Sequence, residues 1–183
     1  MSEGFKSFLS DLQSQSLPPI ETWKPSYQAS IDLLIDQEGR WFYEGTEFTR
    51  PRLVKLLSGL LNVSADGQYY LTSPAEKLAI QVVDVPFLIT EAECEGDELE
   101  RSVIFSTSLG DKVLLSNPEA FQIRAYRGQE IPYVEIRNGL FARVNRQVFY
   151  QLVDWSEENS QCSESNFGFY SEGIFFSLGE VTW

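Results

Sequence analysis

Apolar positions recur along this chain with two different periods, and the changes between them outline the elements. Phe5, Phe8, Leu9 and Leu12 lie three and four apart. That is the spacing of one helix face, so residues 1–16 predict a short amphipathic helix. Leu17-Pro18-Pro19-Ile20 closes it. Trp23 and Pro25 predict an extended arm, because proline confines its predecessor to extended geometry. Residues 31–36 and 40–43 are strand-like runs separated by Gln37-Glu38-Gly39, which predicts a β-hairpin.

A helix is predicted over 50–61, with Thr49 as N-cap and Pro51 in the first turn. Leu53, Leu56, Leu57, Leu60 and Leu61 give it one apolar stripe. Asp66-Gly67 predicts a hairpin turn before a strand at 68–71. Strands follow at 77–85, 87–93, 101–108, 112–116, 121–126 and 133–137, with turns at Gly110-Asp111 and Arg127-Gly128. Leu140, Val144, Val148 and Leu152 recur every fourth residue and predict a second helix over 140–153. Each half thus carries a strand, a short turn and a helix. The expected class is α+β, with two small domains packed around an interdomain cleft. The expected boundaries are an N-terminal helix and arm at 1–20, domains at 21–78 and 79–155, and an acidic aromatic tail at 156–183. Within that tail, 156–166 is polar and Ser-rich like a linker, and Ser171-Glu172-Gly173 lies between two aromatic runs that could form a hairpin.

Composition narrows the function classes. The chain has 183 residues, 14 Lys plus Arg, 27 Asp plus Glu and no histidine, for a net charge of −13. Histidine-based triads and metal sites are therefore excluded within one chain. A nucleic-acid polymer is not an expected partner, since phosphate neutralisation by basic residues supplies most of that affinity. No run of 18 apolar residues occurs, so no membrane is expected either. Cys94 and Cys162 read as free thiols. Residues 1–16 include Glu3 and Asp11 and lack the continuous apolar stretch of an export signal, so a soluble cytoplasmic protein is expected. The acidic stretch 91–100 reads as a solvated strand edge and loop. It lacks the fixed ligand positions of a calcium loop.

The basic residues stand where bases are not favoured. A helix N-terminus attracts acids, yet Arg50, Arg52 and Lys55 occupy the first predicted helix start, and Arg137, Arg143 and Arg146 flank and enter the second. Basic side chains beside free N–H groups suit an anion, and arginine's planar fork suits phosphate. The alternative is that these arginines reach outward and pair with the surplus glutamates, an arrangement worth little. On the first reading Arg50, Arg137, Arg143 and Arg146 hold the anionic group and Lys77 adds a point charge. Trp41, Tyr43 and Tyr133 supply stacking, and Glu44 and Asp84 bind sugar hydroxyls or orient the arginines. No phosphate loop, dinucleotide fingerprint or serine-hydrolase elbow is present.

Several short motifs together resemble one family. They are Trp23-Lys24-Pro25, Gly39-Arg40-Trp41-Phe42-Tyr43-Glu44-Gly45, Thr72-Ser73-Pro74-Ala75-Glu76-Lys77, Val83-Asp84-Val85-Pro86-Phe87 and Pro132-Tyr133-Val134-Glu135-Ile136-Arg137-Asn138-Gly139-Leu140. Over residues 20–153 the chain is similar to the bacterial family known as domain of unknown function 1285. The resemblance implies a two-domain α+β fold with similar motifs in each half. It also implies a cleft for a nucleotide-like ligand and a signalling role. Asn117-Pro118-Glu119-Ala120 departs from a segment that is more basic in the family, and the tail from Asp154 onward departs as well.

The leading expectation is a cytoplasmic protein that binds a small anionic, nucleotide-like ligand, with no cofactor specified. One alternative is a small hydrolase or phosphate-transfer enzyme using Glu44, Glu76 or Asp84. The other is a protein-interaction module that self-associates through the C-terminal tail.

Overall fold

The computed structural model describes residues 17–96, 101–158 and 166–180. The expected N-terminal helix, Cys162 and most of the linker-like stretch lie outside them. The chain divides into two compact units, Met1–Pro86 and Phe87–Trp183.

The first unit follows a 3-10 turn at Ile20–Thr22 with a six-stranded sheet. Its strands are β1 (Tyr27–Ile35), β2 (Trp41–Tyr43), β3 (Thr46–Glu47), β4 (Leu61–Val63), β5 (Tyr69–Thr72) and β6 (Glu76–Val82). Their order is β3-β2-β1-β6-β5-β4. Neighbours pair antiparallel except β1 and β6, the first and last strands, which lie parallel at the centre. Leu33 and Ile35 of β1 and Leu78 and Ile80 of β6 are buried alternately along their strands, as period-two geometry requires. One helix, α1 (Pro51–Ser58), joins β3 to β4 and buries Val54 and Leu57.

The second unit holds β7 (Phe87–Glu95), β8 (Ser102–Thr107), β9 (Lys112–Leu114), β10 (Phe121–Tyr126), β11 (Gln129–Arg137) and β12 (Leu140–Val144). Their order is β10-β11-β12-β7-β8-β9, and again the first and last strands of the set, β7 and β12, are the central parallel pair. Its helix, α2 (Arg146–Asp154), comes after the last strand and buries Val148 and Leu152. A third sheet of β13 (Glu157–Glu158), β14 (Asn166–Ser171) and β15 (Ile174–Glu180) completes the unit. Phe169 and Phe176 of this sheet meet Phe121 of β10 edge-on, at 5.5 and 5.7 Å between ring centroids. The Ser171 hydroxyl accepts a hydrogen bond from the Val103 N–H at 3.0 Å and donates to the Leu115 carbonyl at 2.6 Å. Gly168 is required by this packing, since a Cβ there would stand 2.1 Å from the Phe176 carbonyl oxygen.

The expected α+β class is corrected. Fifteen strands and two short α-helices among the described residues make the protein mostly β. The second predicted helix is the largest single cause. Residues 140–144 are strand β12, and only Arg146–Asp154 is helical. Leu140 and Val144 are four apart, a separation compatible with one helix face and equally with one strand face. The preceding dipeptide decides between them. Asn138 and Gly139 both have positive φ, 46° and 76°, the signature of a two-residue hairpin turn that returns the chain as a strand. Glu44-Gly45 forms the same turn, with φ of 49° and 74°, between β2 and β3. Asn145 then caps α2, its side chain accepting the Val148 N–H at 2.7 Å. In the first unit the helix is capped by Arg50 rather than Thr49, without a side-chain cap bond, and stops before Leu61, which is in β4.

Candidate functional site

Cross-strand partners share a sheet face, and the register of the second sheet gathers a set of cations and rings on one of them. Gln122 pairs with Tyr133, and Tyr133 pairs with Arg143. Arg124 and Tyr126 follow Gln122 at intervals of two along β10, and Phe141 precedes Arg143 by two along β12, so all six residues lie on the same face. The Arg124 guanidinium stands over two rings, 4.1 Å from the centroid of Phe141 and 4.9 Å from that of Tyr133. Its Nε and Nη2 donate to the Gln122 amide oxygen at 3.1 and 2.8 Å. Among the described residues Arg124 forms no ion pair. Arg143 is 9% exposed and lies over Tyr126 at 4.3 Å. Arg127, in the β10–β11 turn, approaches the same Tyr126 ring at 5.3 Å. The Tyr126 hydroxyl is shielded from solvent and makes no hydrogen bond with the described residues.

A guanidinium flat on an aromatic ring gains electrostatic attraction and loses conformational freedom before any ligand arrives. Its edge keeps its N–H donors. Here one neutral amide takes two of them from Arg124, and among the described residues no carboxylate forms an ion pair with it, although Glu135, opposite Phe141 in the register, shares the face. The arrangement suits a planar or oxygen-rich anion, held by charge-assisted hydrogen bonds at the fork edge.

The residues expected from the sequence fall in several places. Arg143 and Tyr133 belong to the face just described, and Tyr133 is 1% exposed. Arg137, at the end of β11, donates from Nη1 to the Asp111 carboxylate at 3.0 Å and lies over the Phe87 ring at 4.9 Å. Arg146, at the first position of α2, donates to the hydroxyl of its own helix neighbour Tyr150. Arg50 is the exposed cap of α1. Neither helix has an acid in its first turn. Lys77 sits 4.0 Å over the Tyr70 ring. Trp41 is 1% exposed within the first unit's core, and Tyr43 stacks on Phe48. Glu44 is an exposed turn residue, and Asp84 is half-buried in the segment after β6. Among the described residues no group of three or more acids and cysteines could hold a metal ion. None of the described helices is long and apolar enough to cross a membrane.

Arg124, Tyr126 and Phe141 were not among the expected contacts. Their signal was the alternation Gln122, Arg124, Tyr126 within one strand. It becomes informative only when the neighbouring strands' register is known.

Models of the N-terminal and C-terminal domains of DUF1285, a domain and protein of unknown function, match residues 18–85 and 86–178. A crystal structure of a DUF1285 family protein from Silicibacter pomeroyi DSS-3 is similar over 99% of this chain and 97% of its own, with 32% identity and a TM-score of 0.85. A second, from Shewanella baltica OS155, is 28% identical over 67% of this chain and 90% of its own, with a TM-score of 0.53. No protein of curated function matches the chain. With both domain models matched in order, and a solved relative alike along nearly the whole length, the chain belongs to the DUF1285 family.

Proposed function

We propose that the protein binds a small anionic ligand with a planar, nucleotide-like group, and that the arginine–aromatic face of β10, β11 and β12 receives it. The observation that carries this reading is Arg124. In a chain of net charge −13, its guanidinium is stacked on two rings, held by an amide and, among the described residues, outside any ion pair. The Tyr126 hydroxyl, shielded and without a hydrogen bond, offers a second donor beside Arg143. The groups around Arg124 are those of binding rather than of acid–base catalysis. The protein would sense its ligand in the cytoplasm, in keeping with a signalling role.

Thermal unfolding with mono-, di- and cyclic nucleotides, and with inorganic phosphate as the reference anion, tests this. A ligand at a hundred times its Kd stabilises the folded state by about 2.7 kcal/mol, so a binder at millimolar concentration raises Tm measurably. The rise is expected to disappear in Arg124→Gln, which keeps a polar side chain and removes the charge. No rise with any nucleotide, or a rise unchanged by Arg124→Gln, overturns the reading.

A further inference from the structure

The opposite face of the same β10–β11 hairpin has the reverse chemistry. Phe121 and Ile123 alternate with Gln122 and Arg124, and the register pairs Ala125 with Glu130. Phe121, Ile123 and Glu130 therefore point toward the C-terminal sheet. Between them and β15 lies an open cavity of about 410 Å³, lined also by Phe175, Phe176 and Gly179. Its size falls in the range of about 300–1,000 Å³ common for small-molecule sites. Three phenyl rings, an isoleucine and Pro118 form the apolar half of its wall, and Glu130, Ser177 and Gly179 line the rest. Glu130 is the one acid in that wall. Its carboxylate reaches the end of β15, where a Cβ built on Gly179 would stand 3.8 Å from Oε2. Among the described residues the Glu130 carboxylate forms neither a hydrogen bond nor an ion pair.

We propose that this cavity is a ligand site for a small amphipathic amine, with its apolar body against Phe121, Phe175 and Phe176 and its ammonium group on Glu130. A carboxylate beside phenyl rings is complementary to an ammonium in two ways. The carboxylate supplies a charge-assisted hydrogen bond, and the ring faces attract the cation. A neutral apolar molecule would use the rings alone, and an anion would meet Glu130 as a like charge. The overall negative charge of the chain favours the approach of cations as well.

Calorimetric titration of the full chain with 2-phenylethylammonium and its neutral analogue 2-phenylethanol separates these contributions. The amine is expected to bind about tenfold or more tightly than the alcohol, the factor one charge-assisted hydrogen bond provides. Glu130→Gln is expected to abolish that preference and leave the alcohol's binding unchanged. Glu130 is exposed, so the variant folds. Equal binding of the two probes by the native chain overturns the proposal. So does an amine preference that survives Glu130→Gln. Absence of binding by either probe, with the chain dimeric in sedimentation, assigns the cavity to a second copy and also overturns it.

Discussion

The two six-stranded sheets solve one topological problem with their helices in different places. Numbered within its own unit, the second sheet runs 4-5-6-1-2-3, which read from the other edge is 3-2-1-6-5-4, the order of the first. Each sheet is two three-stranded antiparallel meanders joined by a central parallel pair of first and last strands. In the first unit α1 bridges the third and fourth strands. In the second that junction holds only the 3-10 turn Pro118–Ala120, and α2 follows the sixth strand. The common element is therefore the strand order. The helices are covers, eight and nine residues long. Isolated helices so short are marginal in water, and it is the packing of their apolar stripes that stabilises them. The units differ in electrostatics too. An exposed arginine, Arg40, is tied to Asp36 at the β1–β2 turn, whereas the Arg137–Asp111 pair of the second unit has side chains only 13% and 11% exposed.

The largest expected effect separates the two ion pairs. Asp111→Ala leaves the Arg137 guanidinium without its carboxylate in a largely buried position, and breaking such a pair costs about 3–5 kcal/mol. Urea unfolding of Asp111→Ala and Asp36→Ala should show a large loss for the first only. Equal losses would break the contrast. The equivalence of the two helices as covers is tested by Leu57→Ala and Leu152→Ala, both at fully buried positions. Each should lose about 2–5 kcal/mol, and a cost below about 1 kcal/mol at either site would show that its helix is not a comparable cover.

A smaller effect distinguishes the helix starts. Asn145→Ala should cost about 1 kcal/mol by removing the cap bond to the Val148 N–H. Arg50→Asn should stabilise α1 by a similar or smaller amount, because no side-chain bond exists there now. Denaturant midpoints of the two variants should move in opposite directions.

The smallest effect concerns pH and Asp36. Partial burial raises its carboxyl pKa, but hydrogen bonds from the Arg40 N–H, the Arg40 guanidinium and the Glu38 N–H outweigh that and hold it below the ordinary carboxylate value. The unfolded chain then binds the proton more readily than the folded one. The stabilisation is complete above the ordinary carboxylate pKa and is lost as pH falls through the lowered one. The stability difference between the native chain and Asp36→Asn, followed in acid titrations, should shrink over that interval. A difference that is constant with pH would remove the electrostatic account.

Much of the local structure could be read from residues alone. Gly39, Gly67, Gly110 and Gly128 mark turns and all have positive φ, a conformation that costs glycine little. Leu53, Leu56 and Leu57 placed the first helix. Leu61 extended the same stripe in sequence, yet it lies in β4, paired with Leu71. The Leu140–Val144 spacing failed in the same way, because a fourfold repeat serves both periods. The ligand face was partly legible. Tyr133 and Arg143 stood out for their type, but Arg124 acquires meaning only through rings contributed by two other strands.

The sequence by itself determined the turns, the alternating strands, the family, and the strong negative charge, to which residues 121–153, with five Arg and two Glu, are a basic exception. These depend on neighbours along the chain, through backbone preferences at glycine and asparagine and through periodic apolar side chains. Tertiary structure alone decided that β1 closes on β6 and β7 on β12, and hence which cations meet which rings. Those pairings join residues tens of positions apart, and a local pattern is the same whichever strand lies alongside it.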